Sequence, residues 1–338
     1  MPRIAIIGLG LIGGSIALAL KRAQPEVEVA GFARTRETVQ KARRLKAIDV
    51  AADSAADAVR GASLVVIASP ILAKRAVFAE IADALEPGAV VTDVGSTKSR
   101  VMRWAKEILP AHAHFVGGHP MAGKEQAGID AADADLFQDR PWVIVPSVDA
   151  DEAAVNTVLG LAQVCGARPM FMDAEEHDSY VAAISHLPLV VASALFSVVF
   201  GSTAWPELAQ LASSGFRDTT RLASGSPEMA HDIVRTNRDN VLHWIDRFAQ
   251  ELQRFRDVIA SEEGEQILEA FLRAQVERDN YIESGPPRRE ASEQEFERVN
   301  FLANLLIGSK LASALQKQEQ IIRDAEARAE GKDRKGRP

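Results

Sequence analysis

Arg3-Ile-Ala-Ile-Ile7 runs directly into Gly8-Leu-Gly10-Leu-Ile-Gly13-Gly14-Ser15, and this join decides the fold. The first five residues read as a short buried strand, and Ser15–Arg22 repeats apolar residues at helical spacing. Between them, the glycine spacing suits a dinucleotide. The first glycine permits a tight turn, the second lets backbone approach a pyrophosphate, and the third lets helix pack on strand. The helix N-terminus then meets the anion with unpaired N–H groups and the positive end of its dipole. Gly8, Gly10, Leu11, Ile12 and Gly13 are therefore the expected cofactor-binding residues of this turn.

Outward from the join, further β-branched runs stand at Glu28–Phe32, Leu64–Ala68, Val90–Val94, His114–Gly117, Trp142–Val145 and Arg168–Met172. Helical patterns separate them at Arg36–Leu45, Ile71–Leu85 and Ser99–Ile108, and another runs from Asp149 to Cys165. This alternation predicts a parallel α/β sheet, an N-terminal Rossmann-type dinucleotide-binding domain over residues 1–172. From Ala174 strand-like runs vanish. Helical patterns at Glu175–Phe200, Trp205–Ala212, Glu228–Ser261 and Gln266–Ile282 predict an all-α substrate and dimerisation domain over residues 173–283. Ser284-Gly-Pro-Pro287 breaks the chain, and residues 284–338 read as a helical or partly disordered tail with an apolar patch at Phe301–Leu306.

Composition narrows the function classes. A net charge of −8 over 338 residues argues against a nucleic-acid partner, whose phosphates need a broad basic face. The single cysteine, Cys165, precludes an internal disulfide and fits a reducing, cytoplasmic compartment. No basic leader opens the chain, and Leu187–Phe200 is shorter than a membrane span, so no membrane is expected. That same run is apolar nearly all round, as in a helix buried on every side. One small helical domain offers little cover for it, so a homodimer of interlocked helical domains is expected. No metal-ligand spacing appears among the seven histidines.

The second strand ends in Gly31-Phe-Ala-Arg34-Thr-Arg36. A strict NAD site places a carboxylate here for the ribose hydroxyls, but Ala33 takes that place. Arg34 and Thr35 instead favour a 2′-phosphate, hence NADP, with NAD the alternative. Ser69, after the strand Leu64–Ala68, is a further expected cofactor contact.

Chemistry-bearing residues follow later strands. Val94-Gly-Ser96-Thr-Lys98 and Gly117-Gly118-His119-Pro-Met-Ala-Gly123 both lie past strand ends, where open α/β sheets gather ligands. Histidine suits alcohol oxidation, because its ordinary pKa of about 6.5 lets it accept a proton near neutrality. Ser96 and His119 are thus the candidate catalytic pair. His112, His114, His177, His231 and His243 read as surface or capping groups, and Lys98 as either a ligand contact or a structural residue.

Gly118-His-Pro-Met-Ala-Gly-Lys-Glu-Gln-Ala-Gly128 resembles the signature of prephenate and arogenate dehydrogenases. Asp93-Val-Gly-Ser-Thr-Lys98, Ser185-His-Leu-Pro188 and Gly215-Phe-Arg-Asp-Thr-Thr-Arg221 agree in order and spacing, over roughly residues 1–283. The resemblance implies oxidative decarboxylation of prephenate to 4-hydroxyphenylpyruvate in tyrosine synthesis, with arogenate or dual cyclohexadienyl activity the alternative. It implies that His119 draws the proton from the ring C4 hydroxyl and that Ser96 orients both. Arg221 would bind the ring carboxylate, His186 would face the substrate, and Glu125 and Asp218 would gate the pocket. Ser213-Ser214 stands where relatives often carry a glycine pair, and Ala230 where some carry tryptophan. Rival expectations are a β-hydroxyacid-type dehydrogenase, disfavoured by the lack of a helix-borne lysine–asparagine pair in Glu175–Phe200, and a non-catalytic NADPH-binding regulator.

Overall fold

A computed structural model describes residues 2–124, 126–285, 300–302 and 305. The chain begins β1 (Arg3–Ile7), α1 (Leu11–Ala23), β2 (Glu28–Phe32), α2 (Arg36–Arg44), β3 (Val50–Ala51), α3 (Ala55–Val59) and β4 (Leu64–Ile67). It continues α4 (Lys74–Ile81), β5 (Val90–Asp93), α5 (Ser99–Ile108), β6 (His114–Pro120), β7 (Pro141–Val145), α6 (Glu152–Val164) and β8 (Arg168–Phe171). The strands form one sheet in the order β3-β2-β1-β4-β5-β6-β7-β8. Side chains alternate across it: Ile4, Ile6, Leu64 and Val66 face one core, and Ala5, Ile7, Val65 and Ile67 face the other. The first core takes residues of α1 and α6, the second those of α3, α4 and α5. Strands covered on both faces read as continuous apolar runs, which is why β1 and β4 are legible in the sequence.

One expectation is corrected. The sheet is mixed, because β7 runs antiparallel to β6, pairing Pro120 with Trp142 and Gly117 with Val145. A parallel return needs a crossover along the sheet face. Between Pro120 and Pro141 no α-helix makes that crossing among the described residues, so the chain re-enters at the end it left. This connection instead folds over α1 and α2: Lys41 of α2 meets Asp130 at 2.6 Å, and the Asp133 N–H donates to Ser15 Oγ of α1 at 2.9 Å.

Helices follow β8: α7 (Ala174–Val181), α8 (Leu187–Phe200), α9 (Trp205–Leu211), α10 (Ser214–Thr220), α11 (Pro227–Thr236), α12 (Arg238–Ala260) and α13 (Gly264–Ser284). A π-turn, Ala182–His186, joins α7 to α8 without a break, with the Leu187 N–H bonded to the Ala182 carbonyl. Pro188 explains it: lacking an N–H, it cannot close the α-helical bond to the Ile184 carbonyl, and the helix widens by one residue. The helical run is therefore 27 residues, Ala174–Phe200, long and apolar enough by composition to cross a bilayer, against the shorter run expected. Its first turns are instead tied to the sheet by His177 and Asp178, both buried. The expected helix Glu228–Ser261 divides into α11 and α12 at Asn237, whose buried amide bonds elsewhere.

Within one chain α8 is poorly covered: only Ala192 is buried, and Phe196, Val198 and Phe200 are exposed. The helical part is fastened to the sheet by Leu72 N–H to Asp232 (3.0 Å), Thr97 to Thr236 (2.9 Å) and Arg100 to the Arg235 carbonyl (3.2 Å). Of the expected apolar patch, Phe301 and Leu305 are buried in the core beside α6, where a Cβ on Gly160 would come within 2.9 Å of Phe301. The other expectations for the tail beyond Gly285 lie outside the described residues.

Candidate active site

The turn between β1 and α1 has the form a dinucleotide needs. Gly8 stands at φ +102°, and a Cβ there would meet the Ala68 carbonyl at 2.6 Å, so the turn packs against the end of β4. At Gly13 a Cβ would strike the Gly8 carbonyl at 1.9 Å. At Gly10, the N-cap of α1, a Cβ would meet nothing within 4 Å. Two glycines thus admit close packing and the middle one leaves open space in front of the α1 N-terminus, a cradle that fits a pyrophosphate. Leu11 and Ile12 open the helix half-buried against the core, and Ser69 is half-buried beside Gly8. At the end of β2, Ala33 packs on the core while Arg34, Thr35 and Arg36 are exposed. Thr35 Oγ caps α2 by accepting from the Thr38 N–H at 3.4 Å.

Two and three strands from β1, β5 and β6 end over a buried ionic cluster. Asp93, Lys98 and Lys74 are all fully buried. Lys98 donates to Asp93 at 2.5 Å and to the Gly118 carbonyl at 2.7 Å. Lys74 lies 3.5 Å from Asp93 and donates to the Ile67 carbonyl at 2.8 Å. Burial alone would raise the Asp93 carboxyl, but the two lysines outweigh it and hold it below its usual range. Burial pushes Lys74 down to about 8 and also lowers Lys98, despite Asp93 beside it. Lys98 is thus engaged in holding the carbonyl next to His119.

His119 lies half-buried near the end of β6. Its Nδ1 is 2.8 Å from Nε2 of His177 on α7, whose Nδ1 is 2.9 Å from Asp178 Oδ1. Asp178 also accepts the N–H of Lys98 at 2.7 Å and of Ser99 at 2.9 Å, capping α5 with an anion. Burial would raise the Asp178 carboxyl, but the His177 ring, then these two N–H donors, hold it below its usual range. Burial, then the neighbouring His177 and Lys98, hold the His119 imidazole well below the usual range, so it is neutral at pH 7. The reading of His177 as a surface or capping group is therefore corrected: it is buried and bonded to His119.

His186, in the π-turn, is buried, and its Nδ1 is 3.2 Å from Asn237 Nδ2. Its Nε2 has no partner among the described residues, a buried polar atom left for a ligand. Burial pushes His186 down to about 4, with Asp178 opposing. Asn237 also donates to the Asp178 carbonyl at 2.6 Å, so one asparagine joins α7, the π-turn and α12.

Other expected site residues are more loosely placed. Ser96 is half-buried in the turn after β5. Arg221 is exposed at the start of the turn Arg221–Ser224, which packs on α8, and Asp218 is exposed, 3.5 Å from Arg217. Glu125 lies outside the described residues. Among the described residues no cluster of metal-ligating side chains occurs. One sheet therefore carries both a dinucleotide cradle after β1 and a neutral, backed histidine near the end of β6.

Residues 16–171 match the family model described as prephenate dehydrogenase, nucleotide-binding domain, and residues 173–273 match prephenate dehydrogenase, dimerization domain. The chain is 37% identical over 278 residues to a prephenate dehydrogenase of Bacillus subtilis, covering 82% of this chain and 75% of that protein. It is 37% identical over 277 residues to a cyclohexadienyl dehydrogenase of Zymomonas mobilis, covering 81% and 94%. Among solved structures it resembles a prephenate dehydrogenase of Aquifex aeolicus in complex with hydroxyphenyl propionate and NAD+, at 30% identity and TM-score 0.77, covering 83% and 98%.

Proposed function

The chain belongs to the prephenate dehydrogenase family, and from that premise we propose that it oxidises and decarboxylates prephenate to 4-hydroxyphenylpyruvate, in tyrosine synthesis. The observation that carries this reading is His119: a neutral imidazole at a strand end, backed through Nδ1, on the sheet that carries the glycine cradle. A nicotinamide dinucleotide held at Gly8, Gly10, Leu11, Ile12, Gly13 and Ser69 supplies the hydride acceptor. His119 takes the proton of the C4 hydroxyl as hydride leaves C4, with Ser96 orienting the hydroxyl. The bond to the ring carboxylate then breaks, its electron pair flows through the ring to the new carbonyl oxygen, and carbon dioxide departs. His119 returns its proton to that oxygen, giving the phenol. Arg221 holds the ring carboxylate until it leaves, His186 meets the substrate through its unpartnered Nε2, and Asp218 and Glu125 gate entry.

Ala33 in place of a carboxylate, with Arg34 and Thr35 exposed beside it, supports NADP over NAD. The exposed apolar face of α8 supports a homodimer through the helical part, for which light scattering is expected to give twice the chain mass. The buried Cys165, its thiol pushed up to about 12 by burial, suits the cytoplasm. Similarity to a cyclohexadienyl dehydrogenase keeps arogenate as a second substrate. Turnover of prephenate and arogenate, each with NAD and NADP, tests the reading. Prephenate with NADP should give the highest kcat/KM, and no turnover of prephenate with either cofactor would overturn it.

A further inference from the structure

We infer that His177, Asp178 and Asn237 are positioning residues that lock the two site histidines in opposite tautomers: His119 with Nε2 bare, and His186 with Nε2 protonated. The inference deepens the reading of His119 as the base and rests on it. It follows from groups whose roles in hydrogen bonding are fixed by chemistry.

The Asp178 carboxylate is only an acceptor, since it already takes the N–H groups of Lys98 and Ser99. His177 Nδ1, 2.9 Å from it, must therefore carry the proton. We take the His177 ring to hold this one N–H, which leaves its Nε2 a lone pair. His119 Nδ1, 2.8 Å from that lone pair, must then be the donor. The proton of neutral His119 is thus spent inward, and Nε2 is left as a base. No described residue bonds that atom, so none of them competes with a substrate hydroxyl for it.

The second relay starts from a backbone carbonyl. The Asp178 carbonyl is an acceptor without exception, so the group 2.6 Å from it is the NH2 of Asn237. The amide oxygen of Asn237 accepts from Asn240 Nδ2 at 2.8 Å, which agrees. The NH2 group, 3.2 Å from His186 Nδ1, makes that atom the acceptor. Neutral His186 must then carry its proton on Nε2, the buried atom without a partner. A donor that is buried and unmet is costly to leave so, and it is therefore aimed at an acceptor on the ligand, a carboxylate or carbonyl oxygen. His119 and His186, alike in sequence, thus have opposite jobs: one accepts and one donates.

When His119 takes the substrate proton at Nε2, it becomes an imidazolium whose Nδ1–H points at His177, and the charge is stabilised through His177 by Asp178. The arrangement does for His119 what an aspartate does for the histidine of a serine-protease triad, with an imidazole interposed.

The test is histidine-selective 15N NMR of the full chain at pH 8, with the two resonances assigned by His119→Gln and His186→Gln. His119 is expected as the Nδ1–H tautomer and His186 as the Nε2–H tautomer. An Nε2–H tautomer at His119, or an Nδ1–H tautomer at His186, overturns the inference. His177→Phe keeps a buried ring and the Asp178 cap but cuts the first relay. It should leave His119 in mixed tautomers and lower kcat roughly 100-fold, with KM for both substrates little changed. Wild-type kcat in that variant would also overturn the inference. The wild-type spectrum needs no turnover, so a protein with these tautomers that fails to oxidise prephenate would refute the function and leave the relays standing.

Discussion

Lowering the pH from 7.5 to 5 should destabilise the fold through its two site histidines, His186 and His119. In the unfolded chain His186 takes a proton as pH falls through 6.5, whereas burial in the folded chain defers this to about 4. The sign follows: the folded pKa is depressed, so stability is complete above the unfolded pKa and is lost as pH falls between 6.5 and about 4. With 1.36 kcal/mol per unit, the loss from His186 alone between pH 7.5 and 5 is about 2 kcal/mol. His119, held well below its usual range, adds in the same direction. Asp93 and Asp178 are held below the ordinary carboxylate range and lose their contribution only at lower pH. Urea unfolding at fixed protein concentration, followed by tryptophan fluorescence, measures the loss. His186→Asn removes one titrating group and should recover about 2 kcal/mol of the pH-dependent loss. A stability flat from pH 7.5 to 5, or the same loss in wild type and His186→Asn, would refute the burial of neutral histidines at this site.

Arg221→Lys should raise KM for prephenate, by about 2–5 kcal/mol in apparent binding, with cofactor KM unchanged, because an ammonium cannot reproduce the fork a carboxylate meets. Wild-type KM in both Arg221→Lys and Arg221→Ala would remove the residue from the site. Ala33→Asp combined with Arg34→Ala should move the kcat/KM preference from NADP toward NAD, and a wild type that already prefers NAD would refute the assignment. Phe301→Ala, emptying the notch beside Gly160, should cost roughly 3–5 kcal/mol, and an unchanged thermal midpoint would show that this contact contributes nothing.

The join at Gly8–Gly13 was legible because each glycine answers a local demand, and the flanking strand is buried on both faces. The strands β1 and β2 fall at the residues read from sequence, and most other boundaries within one residue. The direction of β7 was not legible, since it depends on a connection with no helical period. β3, at two residues, is too short to carry a pattern. His119 was found because it follows a strand inside a glycine-rich run. His177 and Asp178 were missed because Glu175-Glu-His-Asp178 looks like any polar first turn of a helix. In a regular α-helix, at ~100° per residue, His177 and His186 would sit on opposite faces. The π-turn after Val181 inserts one residue and brings them toward one side, and only Pro188 hinted at it. Asn237 lay inside an apparently continuous helical pattern, and its signal was the break it makes between α11 and α12.

The central claim, that His119 is the base acting on the substrate hydroxyl beside a bound dinucleotide, is tested most directly by His119→Asn. Cofactor affinity is measured by titration and prephenate turnover under saturating conditions. A fall in kcat of ~100-fold or more is expected, with the cofactor dissociation constant nearly unchanged, because the cradle at Gly8–Gly13 does not involve this ring. Unchanged turnover in a folded His119→Asn protein would contradict it.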